Sequence, residues 1–96
     1  MHNILVVMEK NSFHPMSMIE QLKELEYNTV SAELNIQEIS RLKDNFEVIL
    51  LFMEGDGEDK TKELVYLRDK AVEENSPIFY VGEDSPVMRE ILPNHI

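Results

Sequence analysis

Six consecutive apolar residues, Val48-Ile49-Leu50-Leu51-Phe52-Met53, sit at the middle of the chain, and an acidic, glycine-bearing stretch follows at once, Glu54-Gly55-Asp56-Gly57-Glu58-Asp59. A short run this apolar, bounded by turn residues, predicts a strand covered on both faces, the habit of central strands in parallel sheets. In such sheets, ligands and catalytic groups gather outside the carboxyl ends of the central strands. Phosphoryl chemistry there calls for a carboxylate at the strand tip, and this strand ends on Phe52 and Met53.

The rest of the chain alternates strand and helix around that run. Ile4-Leu5-Val6-Val7 reads as a second buried strand. Met8 to His14 is loop-like, and Pro15 suits a first helical turn, where its missing N–H leaves nothing unpaired. Met18, Ile19, Leu22 and Leu25 recur at helical spacing as the face turned to a sheet, and Tyr27-Asn28 closes the unit. Thr29-Val30-Ser31-Ala32 alternates polar and apolar, which predicts a half-exposed edge strand. Asn35, with Glu38 three residues on, predicts the cap of a short helix that buries Ile36, Ile39 and Leu42 and ends at Asn45.

After the acidic loop, Asp59 is the expected cap of a helix burying Leu64, Leu67, Ala71 and Val72, with Lys70 late in it and Ser76-Pro77 breaking it. Ile78-Phe79-Tyr80-Val81 is a fourth strand and Gly82-Glu83-Asp84 a loop. Ser85-Pro86 then caps a last helix through Val87, Met88, Ile91 and Leu92, stopped by Pro93. Strands alternating with helices imply right-handed crossovers and an α/β fold of three αβα layers. The economical arrangement is a flavodoxin-like parallel sheet of order 2-1-3-4, with residues 1–96 forming a single domain.

Composition narrows the function. The formal net charge of −10 opposes direct binding to a nucleic-acid backbone or to an anionic membrane surface. With no cysteine there is no disulfide, thiol catalysis or thiolate metal site, a pattern that fits the cytoplasm. No apolar stretch approaches the roughly 20 residues that span a bilayer, and the start of the chain lacks the features of a signal peptide.

The apolar runs Ile4-Leu5-Val6-Val7, Val48-Ile49-Leu50-Leu51 and Ser76-Pro77-Ile78-Phe79-Tyr80-Val81 together resemble the receiver domain of bacterial response regulators, the CheY-like fold, over almost the whole chain. That resemblance implies an acidic pair after the first strand for magnesium, a phosphoacceptor aspartate at the tip of the third, a Thr or Ser at the tip of the fourth, and a lysine after a fifth. At the matching positions stand Met8-Glu9, Phe52 and Gly82, and the chain stops before a fifth strand. Only Glu9 is retained. One glutamate beside a methionine is a poor ligand set for magnesium, which wants several hard oxygens, and Phe52 cannot form an acyl phosphate. The chain therefore resembles a degenerate, pseudo-receiver form in which Met8, Phe52 and Met53 are expected to plug the former acidic pocket.

Other constellations are weaker. The acidic loop 54–59 could gather a divalent cation with Glu9 and Glu83-Asp84, but it does not match an EF-hand. The alternative is a solvated loop whose acids favour the next helix N-terminus. His2, His14 and His95 share no spacing, and no Walker loop, dinucleotide fingerprint or nucleophile elbow is present. The expectation is therefore a non-enzymatic signalling module with no catalytic, phosphoacceptor, metal or cofactor-binding residue. Its partners are expected to be a protein, a downstream output domain or a second copy, because Leu92-Pro93-Asn94-His95-Ile96 reads as the approach to another strand of a longer chain. The competing class is a small enzyme or carrier with Glu9, His14, Asp56 and Glu83 at the carboxyl-edge loops, with or without a divalent metal.

Overall fold

The two most apolar runs form the middle of the sheet. In the computed structural model, which describes residues 3–9, 16–42, 45–55, 57–82 and 84–92, β1 (Asn3–Met8) pairs in parallel with β2 (Asn28–Glu33) on one side and β3 (Val48–Phe52) on the other. The strand β4 (Ile78–Val81) adds in parallel to β3, giving the order β2-β1-β3-β4 that the alternation of elements predicts. Helices α1 (Met16–Glu24), α2 (Ile36–Ser40), α3 (Thr61–Glu74) and α4 (Pro86–Ile91) make the crossovers and the final turn.

Strand alternation sorts the side chains into two cores. Leu5, Val7, Ile49, Leu51, Ile78 and Tyr80 face Ile39 of α2, Leu64, Leu67 and Ala71 of α3, and Met88 and Ile91 of α4. Ile4, Val6, Met8 and Phe52 face the opposite way with Ile19 of α1, and Leu22, Tyr27 and Leu50 pack at the margin. Fully burying a Leu or Ile side chain contributes about 1.5–3 kcal/mol, so the first and larger cluster dominates the fold.

Local signals explain most helix ends. Asn35 accepts a hydrogen bond from the Glu38 amide (3.0 Å), and the Glu38 carboxylate reaches back to the Glu33 amide (3.2 Å). Ser85 caps α4 by accepting from the Met88 amide (3.2 Å), with Pro86 in the first turn. Replacing Ser85 by alanine is expected to lower stability by about 1 kcal/mol, read as a shift of the urea midpoint with no change in slope.

Three expectations are corrected. Leu25 is 68% exposed, because α1 has ended: Glu26 takes a left-handed conformation (φ 68°), and the Tyr27 amide closes back on the Leu22 carbonyl (3.0 Å). Val72 is 72% exposed, one step round the helix from the stripe of Leu64, Leu67 and Ala71. Asp59 does not cap α3. Gly57, at φ 83°, opens a single 3-10 turn over Glu58–Lys60, and α3 continues from it without a side-chain cap. The left-handed conformation of Gly57 is what favours glycine; a Cβ there would also press on the Met88 sulfur at 2.9 Å and on Leu64 Cδ1 at 3.0 Å, side-chain ends that can give way.

The far end of α3 stops at Asn75 in the left-handed region (φ 55°), one residue before the expected Ser76-Pro77 break, with the Ser76 amide bonded to the Ala71 carbonyl (2.8 Å). Here the chain entering β3 is gripped twice. The Phe46 amide donates to the Glu74 carboxylate (3.3 Å), and the Ser76 hydroxyl donates to the Phe46 carbonyl. Lys70 neutralises Glu74 across one helical turn at 2.5 Å, with both side chains largely buried. No helix among the described residues is long and apolar enough to cross a membrane.

Candidate functional site

The carboxyl ends of β1, β3 and β4 lie side by side, so Met8, Phe52 and Val81 stand in register across the sheet. This is the edge where a sheet of this kind places its chemistry. Phe52 is only 4% exposed and packs in one cluster with Met8, Val6 and Ile19. The tip of the central strand is thus apolar and closed.

Met53 does not share that plug. Strand alternation turns it to the opposite face, into the cluster with Leu64 and Met88. Its amide donates to the Val81 carbonyl (3.0 Å), which extends the β3–β4 ladder by one bond. The apolar filling is therefore two separate packings, Met8 with Phe52 on the α1 side and Met53 with Met88 on the other.

Glu9, the one retained acid of the receiver pattern, has a main-chain role. Its Oε1 accepts hydrogen bonds from the Glu54 amide (2.9 Å) and the Gly55 amide (3.4 Å), 45 and 46 residues away. The carboxylate thereby holds the start of the acidic loop against the tip of β1. A carboxylate oxygen that accepts two amides carries its charge in a satisfied site.

The tip of β4 is crowded by the main chain that follows β3 and by the Tyr80 ring. A Cβ built on Gly82 would lie 2.5 Å from the Met53 carbonyl oxygen and 2.6 Å from the Tyr80 hydroxyl oxygen. No hydroxyl-bearing side chain fits at that position without a shift of the main chain. Just beyond, Asp84 forms a two-pronged pair with Arg89, including a 2.9 Å bond from Nε to Oδ1. The hydrogen bond to Asp84, and then its charge, raise the Arg89 guanidinium above its ordinary pKa. Both side chains are exposed, so the pair adds little to stability.

Among the described residues, no three His, Asp or Glu side chains converge where a metal ion could sit. His2, His14, His95, Asp56 and Glu83 lie outside the described residues. Of the carboxyl-edge residues considered for chemistry, the structure places Glu9 against the acidic loop and Phe52 in the core. Sequence reasoning missed the Glu9 bond to the loop amides and the crowding at Gly82. The second had a visible trace, a glycine directly after an apolar strand; the first joins residues too far apart to show one. No protein-family model and no curated protein matches the chain.

Proposed function

We propose that the chain is a non-catalytic signalling module on a receiver-like scaffold, belonging to a bacterial two-component-type regulator of the cytoplasm. It acts by docking to a protein partner, a second copy included, and not by aspartyl phosphorylation. One observation carries this reading: the tip of the central strand is a buried phenylalanine packed on Met8, at the place where an acceptor carboxylate would have to meet solvent and metal. The Gly82 backbone contact and the engagement of Glu9 with main-chain amides support it, since both occupy positions that phosphotransfer would use.

The test is incubation with acetyl phosphate and magnesium followed by intact-mass measurement. The expected spectrum is that of the unmodified chain. A stable phosphoryl adduct on a carboxylate would overturn the proposal.

A further inference from the structure

Just past β3, two successive main-chain amides are met by a side chain and not by a neighbouring strand. The Ile49 and Met53 amides donate toward β4, to the Pro77 (2.9 Å) and Val81 (3.0 Å) carbonyls. Amides alternate sides along a strand, so the Glu54 amide turns to β1. There it meets the Glu9 carboxylate at 2.9 Å, and the Gly55 amide reaches the same oxygen at 3.4 Å. The Met8 carbonyl, one residue earlier, is taken from the other side by the Leu34 amide (2.8 Å). Glu9 thus adds a charged rung to the β1–β3 ladder.

Attraction between side chains does not bring these two segments together. Glu54 carries the same charge as Glu9, and the chain as a whole stands at −10. What the carboxylate gains is a pair of successive N–H dipoles on one oxygen, the arrangement by which main chain binds anions. In so acidic a protein a free anion is repelled at long range. A tethered one is already at the site, at an effective concentration on the order of millimolar or above.

We propose that the Glu54 and Gly55 amides are a binding site for a carboxylate, kept filled by the chain's own Glu9. The filled site holds the start of loop 54–59 in one arrangement, whatever anions are in solution. Further along, the loop is held separately, by the Lys60 amide on the Gly57 carbonyl (3.0 Å). For the docking module proposed above, a partner then meets the start of this loop already set. That consequence rests on the docking reading; the site itself does not.

The test is amide NMR of the full chain and of Glu9→Ala, each titrated with sodium formate, the smallest carboxylate, beside sodium chloride at equal ionic strength. Formate is taken to about 0.2 M, well above the millimolar scale of a tethered group. In Glu9→Ala the Glu54 and Gly55 amide protons are expected to move upfield on losing their charged acceptor. Formate, and not chloride, is expected to return them toward their wild-type positions along a saturating curve. In the wild-type protein the same two signals are expected to stay in place, with the Lys60 amide as internal reference.

Formate that moves the wild-type signals as far as the variant's would overturn the proposal. So would a variant in which formate does no more than chloride. Should Glu9→Ala fail to fold by circular dichroism, the wild-type protein decides alone. A through-hydrogen-bond coupling between the Glu54 amide nitrogen and the Glu9 carboxyl carbon is then expected, and its absence would defeat the site. These outcomes are separate from the mass measurement: a phosphoryl adduct defeats the docking reading and leaves this site standing, whereas entry of formate into the wild-type site does the reverse.

Discussion

Phe52→Asp is expected to cost most of the domain's stability instead of restoring a phosphoacceptor. Emptying a buried phenylalanine site alone costs about 3–5 kcal/mol. The new carboxylate would also be buried against Met8, Val6 and Ile19, with no cation among them to offset its lost hydration. Typical domains are stable by about 5–15 kcal/mol in total, so the variant is expected to be largely unfolded by urea titration or circular dichroism. Phe52→Leu keeps the site apolar and should lose less than about 2 kcal/mol. A folded, cooperatively melting Phe52→Asp protein would mean that the tip of β3 opens readily to water, and the closed-edge account would fall with it.

Gly82→Thr, the substitution that would supply the missing hydroxyl, is expected to destabilise by about 2–3 kcal/mol through overpacking. The collision is with the Met53 carbonyl oxygen, a main-chain atom that cannot swing aside as a side-chain end can. Because the first atom of the side chain makes the clash, Gly82→Ala should lose nearly as much as Gly82→Thr. That equality distinguishes backbone crowding from an ill-fitting larger side chain. If alanine is tolerated and threonine is not, the position has room for a Cβ and the contact is softer than its geometry implies. The two experiments together say whether phosphotransfer is one substitution away or blocked at several independent places.

The strand order and the two central strands were legible because a parallel sheet buries its middle on both faces, and the chain has two such runs, Ile4–Val7 and Val48–Met53. Caps at Asn35 and Ser85 were legible because a side chain and an amide three residues on make a local bond. Leu25 and Val72 misled for one reason: apolar spacing says which residues share a face while a helix lasts, but not where the helix ends or how wide its buried stripe is. Assigning Met53 to the same plug as Phe52 overlooked the period of two, which sends neighbours in a strand to opposite faces. The bond from Glu9 to the loop amides could not be read in advance, since nothing local in the sequence marks a carboxylate that will meet amides across the sheet.

The grip on Phe46 has a consequence for how the central strand chooses its place. Val48 to Met53 is apolar at every position, so sliding it by one residue would exchange its two faces and still present oil to both layers. In a half-polar strand such a slip is forbidden by pattern; here pattern is nearly silent. What distinguishes the two alignments lies just outside the strand, where Glu74 and Ser76 hold the amide and the carbonyl of Phe46 together. A slipped β3 would have to surrender both bonds and leave the Lys70–Glu74 pair without its third member. The polar end of a neighbouring helix thus supplies the positional information that the greasiest segment of the protein lacks.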